Sequence, residues 1–157
     1  MVSIGGPAPR FRATIGTNEA EPLDLEQRLG DGPTVLVFFP GVFTSTCTRE
    51  MVAFQERLDS FEDAGATIFG ISADSPFSLA VFREELGLEF DLLSDMRREA
   101  IEAYDLEMDI PDLGLYGIPR RAVFVLDADG VVTDEWVAED SGTEPDYDAV
   151  LSAVKAV

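Results

Sequence analysis

Histidine is absent from this chain of 157 residues, and cysteine, tryptophan and lysine each occur once, as Cys47, Trp136 and Lys155. Without histidine there is no Cys-His or Ser-His-Asp catalytic arrangement and no histidine-bound zinc or iron site. A lone cysteine excludes an internal disulfide and a CxxC dithiol, and it fits a reducing compartment such as the cytoplasm. The sequence also lacks a GxxxxGK[ST] or GxGxxG phosphate loop and EF-hand spacing among its acidic residues. No stretch approaches the roughly 20 apolar residues of a membrane span, and the opening MVSIGGPAPRF has neither a basic leader nor a hydrophobic signal core. A soluble, cytoplasmic protein with no metal and no cofactor is therefore expected.

Positive charge is scarce as well. Thirty-one acidic against 11 basic side chains leave a formal net charge of -20, spread along the chain rather than gathered in a tail. Such a field repels phosphates and anionic membranes, so neither nucleic acid nor a membrane surface is an expected partner. An uncharged substrate is unaffected. The carboxylate excess reads as adaptation to a very salty cytosol, where screening over a few ångströms removes most self-repulsion. Most of these carboxylates read as solvated surface.

What is present is an ordinary foldable chain, 46% hydrophobic and 10% aromatic, whose length fits one domain over residues 1–157. No repeat, low-complexity segment or linker interrupts it. Strand-like and helix-like segments alternate, which predicts an α/β fold. Thr34-Val-Leu-Val-Phe-Phe39 is a continuous apolar run between Gly32-Pro33 and Pro40, as in a central strand covered on both faces. Met51, Phe54, Leu58 and Phe61 recur at helical spacing and predict one helix from about Thr46 to Ala64, stopped by Gly65. Thr67–Ile71 reads as a second buried strand. The turn through Pro76, capped by Asp74 or Ser75, leads to a helix ending near Gly87. Phe90–Leu93 reads as a short strand, 96–104 as helix, 105–119 as loop, and Arg121–Leu126 with Val131–Val137 as a hairpin about Asp127-Ala-Asp-Gly130. A last helix from Glu144 or Pro145 and a small hairpin in the first thirty residues complete the reading, with Trp136 in the core.

The spacing puts Cys47 in the first turn of the helix after the central strand, on its apolar side. A cysteine there can be a small core hydrophobe. The first turn also presents unpaired backbone N–H groups and the positive end of the helix dipole, both of which favour a thiolate, the nucleophilic form. With no histidine available, further help has to come from a hydroxyl and an arginine.

Pro40-Gly-Val-Phe-Thr44-Ser-Thr-Cys47 resembles the PxxxTxxC motif of the peroxiredoxins, and Arg121-Ala-Val-Phe124-Val-Leu-Asp127 resembles that family's later arginine-bearing strand. Phe69-Gly-Ile-Ser-Ala-Asp-Ser-Pro76 and Leu92-Leu-Ser-Asp95 are similar to family segments in the same order. The resemblance, to the AhpC/TSA-like redoxins, implies a thioredoxin-like fold with a central mixed sheet flanked by helices and an N-terminal β-hairpin extension. It also implies a peroxidase in which Cys47 attacks hydrogen peroxide or a small organic hydroperoxide. Thr44 would bind the peroxide through its hydroxyl, Arg121 would supply charge and fixed donors, and backbone N–H groups near Thr46 and Cys47 would complete a pocket shielded by Pro40. Each residue has a second reading. Thr44 serves equally as a turn or cap residue and Pro40 as a strand stop. Arg120 competes with Arg121, which the RxxF spacing to Phe124 favours. Glu50, at capping-box spacing from Cys47, either ties down the helix start or binds the arginine.

Family members that close an internal disulfide carry a second cysteine; here Val52 stands five residues after Cys47, and no later cysteine exists. The chain thus resembles a one-cysteine, AhpE-like type. A sulfenic acid at Cys47 would be reduced by an external thiol, either a small molecule or a thioredoxin-like protein, or would pair with Cys47 of a second subunit. The resemblance implies a homodimer. A non-enzymatic peroxide sensor that relays oxidation to a partner is the competing function, separated from a peroxidase by catalytic turnover.

Overall fold

The five segments after the N-terminal hairpin that read as strands meet in one sheet. A computed structural model describes residues 2–157. Strands β1 (Arg12–Ile15), β2 (Pro22–Asp24), β3 (Thr34–Phe38), β4 (Thr67–Ser72), β5 (Asp91–Ser94), β8 (Ala122–Leu126) and β9 (Val132–Val137) form a seven-stranded mixed sheet in the order β2-β1-β5-β4-β3-β8-β9. β3, β4 and β5 run parallel, while β8 and β9 on one side and β1 and β2 on the other are antiparallel additions. β3 and β8 are buried at every position. Their continuous apolar sequences follow from that double coverage.

Alternate residues of β3, with Phe39 just after it, feed two cores. Val35, Val37 and Phe39 face a cluster with Met51, Phe54, Leu79, Phe82 and Val150. Leu36 and Phe38 face a second cluster with Phe11, Ile101, Tyr104 and Phe124 on the other side of the sheet. The first cluster lies under the helices α1 (Ser45–Glu56), α2 (Leu58–Asp63), α3 (Pro76–Leu86) and α5 (Tyr147–Lys155); the second is closed by α4 (Glu99–Ala103) and the N-terminal segment. Trp136 is half-buried against the first cluster. The N-terminal hairpin pairs β1 with β2 and attaches to β5 through β1.

Three local expectations need correction. The single helix over 46–64 is two helices broken at Arg57, and no proline is involved. The Arg57 guanidinium donates to the Ala53 carbonyl at 3.1 Å. That oxygen is the one its own backbone N–H would use in an unbroken helix, and the N–H turns instead to Phe54 at 3.1 Å. The helix expected over 96–104 is shortened to α4 because Arg98 sits in the left-handed region, φ 56°. The expected loop over 105–119 holds a separate hairpin, β6 (Glu107–Ile110) with β7 (Leu115–Pro119). Pro111, Gly114 and Gly117 favour a loop, yet Gly114, φ 68°, closes the turn after Pro111–Leu113, and Gly117, φ 64°, lies inside β7 where the hairpin register shifts, both conformations that non-glycine residues would strain.

Candidate active site

The site is built where β3 ends. Pro40 follows the strand, the chain turns through Phe43 in the left-handed region, φ 64°, and Thr44 begins α1 as its N-cap residue. The Phe43 ring holds that turn by an edge-on contact with Phe82, centroids 5.2 Å apart. Asp74 braces the loop from the neighbouring connection: its Oδ2 accepts from the Val42 N–H at 3.0 Å and from the Ser72 hydroxyl at 2.7 Å. The cap of α3 is Ser75, which accepts from the Ser78 N–H. Of the two residues that could cap that helix, Asp74 is thus free for the active-site loop.

Thr44 gives no side-chain bond to the N-terminal N–H groups of α1. Its hydroxyl donates to the Gly41 carbonyl at 3.2 Å, while its own carbonyl receives the Thr48 N–H at 2.9 Å. The first-turn donors are left uncapped, as an anion site at a helix start requires. Cys47 lies in that turn, fully buried.

Arg121, immediately before β8, is the residue that meets it. Antiparallel pairing of Phe38 with Ala122 brings the start of β8 beside the end of β3, and the guanidinium reaches the sulfur with both terminal nitrogens, Nη1 and Nη2, each at 3.4 Å from Sγ. Nη1 also donates to Glu50 Oε1 at 2.7 Å, and Nη2 to the Ser141 carbonyl at 2.8 Å. Arg120 points elsewhere, donating to the Ala138 carbonyl at 2.8 Å. Glu50 binds the arginine rather than the helix start.

The electrostatics follow from exclusion of water. Arg121 is 2% exposed and Glu50 not at all, and burial pushes the Glu50 carboxyl up from 4.5 to about 7 despite its bond to Arg121. Burial also works against the Arg121 charge, but Glu50 and Cys47 together outweigh it and hold the guanidinium above its usual value. Two buried polar atoms of this group have no partner, Glu50 Oε2 and Arg121 Nε.

A cleft of about 540 Å³ opens over the site. Pro40, Thr44, Thr46 and Arg121 line it together, whereas Cys47 and Glu50 are fully buried and in contact with Arg121. Thr46 turns its hydroxyl to Arg49, accepting from Nη2 at 3.2 Å. The far wall comes from the hairpin, with Ile110, Leu113, Leu115 and Tyr116. Asp74, Ser141 and this apolar wall were not singled out as site residues by the sequence. A carbonyl carries no sequence signal, and the wall belongs to the segment that reads as loop. Asp74 did carry one, in its polar turn, but a cap and a brace look alike there.

Comparison with known proteins agrees with this architecture. The profile described as the AhpC/TSA family matches residues 4–135. The chain is 35% identical over 132 residues to the chloroplastic peroxiredoxin Q of Sedum lineare, covering 83% of this chain and 67% of that protein. It is 32% identical over 163 aligned positions to the mitochondrial thioredoxin-dependent peroxide reductase of Drosophila melanogaster, covering 99% of this chain and 67% of that protein. The crystal structure of peroxidoxin BcpB from Mycobacterium tuberculosis superimposes with a TM-score of 0.88 at 28% identity, over 100% of this chain and 99% of that one. The thioredoxin-like arrangement of a central mixed sheet flanked by helices is therefore this chain's fold.

Proposed function

Since this chain belongs to the AhpC/TSA family of peroxiredoxins, we propose that Cys47 is the group through which it works, with hydrogen peroxide and small organic hydroperoxides as substrates. The protein is an enzyme, and thiol-dependent peroxide reduction is its activity. The observation that carries the assignment is the pair of 3.4 Å contacts from Arg121 to a cysteine in the uncapped first turn of a helix.

In the first step the Cys47 thiolate attacks the terminal peroxide oxygen. A sulfur–oxygen bond forms and the oxygen–oxygen bond breaks. The bonding pair leaves on the second oxygen, which takes a proton and departs as water or alcohol. Sulfur is oxidised to the sulfenic acid and the peroxide is reduced. Arg121 and the free N–H groups of α1 stabilise the charge that moves from sulfur to oxygen. The Thr44 hydroxyl, at the cleft and already donating to Gly41, keeps lone pairs that can accept a hydrogen bond from the peroxide O–H. Pro40, itself buried, shields the sulfur from bulk water.

Because Cys47 is the only cysteine, the second half-reaction needs thiols from outside. One thiol condenses with the sulfenic acid, giving a mixed disulfide and water; a second displaces Cys47 and leaves as the disulfide. A thioredoxin-type protein or a small thiol fills this role in the cytoplasm. The chain acts as one domain over residues 1–157 and as a homodimer. Exposed Phe43, Phe77 and Val81, 55%, 60% and 48% accessible on a chain of charge -20, support association. The same charge supports a saline working medium. No helix among the described residues is long and apolar enough to cross a membrane.

Intact-mass analysis after one equivalent of peroxide tests the assignment. The wild type should gain one oxygen atom at Cys47, trappable as a sulfenic acid, and turn over when a thiol is supplied. Cys47→Ser should gain none. Peroxide consumption undiminished in Cys47→Ser would overturn it.

A further inference from the structure

Arg121 Nη1 serves two acids at once. It stands 2.7 Å from Glu50 Oε1 and 3.4 Å from Cys47 Sγ, inside a group where Cys47 and Glu50 are both fully buried. Its partner nitrogen Nη2 divides itself between Sγ and a backbone carbonyl. One cation therefore faces two groups that can each be anionic, with water excluded, and both cannot be fully compensated. Glu50 Oε2 accepts no hydrogen bond. A buried carboxylate with one bare oxygen is a poor anion, whereas a neutral carboxyl leaves that oxygen its own proton.

Resting on the peroxidase reading above, we propose that Glu50 is a positioning residue that meters the Arg121 charge: neutral, it leaves the guanidinium to the Cys47 sulfur, and ionised, it draws the guanidinium to itself and slows attack on peroxide. In a chain without histidine, this carboxyl is the group near the sulfur whose charge changes close to neutrality, since burial has pushed it up to about 7. The other groups facing it are few. Cys47 precedes it by about one turn on α1, Arg121 comes from just before β8, Glu144 from the segment leading into α5 and Tyr147 from the first residue of that helix. Glu144 accepts from the Tyr147 hydroxyl and from Arg49, and these bonds hold it below the usual carboxylate range. It keeps its charge throughout the range in which Glu50 titrates. β3, β4, α2 and α3 contribute buried hydrophobic side chains to the core cluster that holds Cys47, Met51 and Phe54 of α1.

Metering of this kind is reciprocal: if Glu50 weakens the hold on the sulfur anion, the sulfur anion must make Glu50 harder to ionise. Carbon-13 NMR of the Glu50 carboxyl in the reduced protein, with no peroxide present, reads this directly. The midpoint should fall by about one pH unit or more in Cys47→Ser, which removes the competing anion. An unchanged midpoint would overturn the proposal. The second measurement is the rate constant of wild type and Glu50→Gln with peroxide. Their ratio should fall about tenfold between roughly pH 6 and pH 9, because glutamine stays neutral. A ratio independent of pH would also overturn it. Failure of the peroxidase reading would look different, as Cys47→Ser would then keep its activity whatever Glu50 does.

Discussion

Arg121, Glu50 and Cys47 form a buried group, and the carboxyl within it has a consequence for stability of definite sign. Glu50 is raised from 4.5 to about 7 by burial. A carboxyl raised in the folded state stabilises fully below the unfolded value of 4.5, and that stabilisation is lost as pH rises to about 7. The loss is at most about 3 kcal/mol. Urea midpoints of the reduced protein should therefore decline across this window, and Glu50→Gln should abolish the decline; a wild-type midpoint that rises through the window would contradict the burial argument. Thr44 acts more lightly, with one hydroxyl at the cleft, so Thr44→Val should slow peroxide reduction about tenfold while leaving the fold intact. At this scale the sequence was most informative. The PxxxTxxC spacing and the arginine before the Phe124 strand pointed to Cys47, Thr44 and Arg121 because each needs a fixed residue type. Glu50 stayed ambiguous, since capping-box spacing and an arginine partner look the same until the partner's position is known.

The elements around the site do work that their own sequences do not announce. The loop from Pro40 to Thr44 is held at Val42 by Asp74, and Asp74 is held by Ser72 at the end of β4. Asp74→Ala should leave the Val42 N–H without that acceptor and let the loop drift. An ångström of misplacement costs up to about 10²-fold in rate, so peroxide reduction should slow by about tenfold with little change in thermal midpoint. A normal rate would mean that the loop holds itself. Element types were legible wherever burial imposed a period: the apolar runs of β3, β4 and β8 and the helical spacing of Met51, Phe54, Leu58 and Phe61. They were illegible where a side chain overrode the backbone, as Arg57 does by taking the Ala53 carbonyl. The β6–β7 hairpin escaped because Pro111 and two glycines interrupt an alternation only four residues long. A third of the cleft lining went with it.

At the scale of the whole molecule the net charge of -20 dominates. Ion pairs offset little of it: among the described residues four are formed, and of these only Glu50–Arg121 is buried. Exposed pairs contribute at most about 1 kcal/mol each. Self-repulsion is thus left to the solvent, and screening shortens from about 10 Å at 0.1 M salt to about 3 Å at 1 M. The thermal midpoint should rise steadily with potassium chloride over this range. A maximum at low salt would contradict the reading of the carboxylate excess. Peroxide, being uncharged, should react at a rate nearly independent of salt so long as the protein stays folded.

The claim on which all of this rests is that the Arg121 guanidinium activates a lone cysteine that no histidine assists. Stopped-flow measurement of the second-order rate constant for peroxide with Arg121→Ala tests it most directly, at a pH and salt where the variant is shown to be folded. Loss of one such donor should lower the constant by about 10²–10³, with Arg121→Lys recovering part of it. An Arg121→Ala protein that is folded and reacts at the wild-type rate would contradict the account.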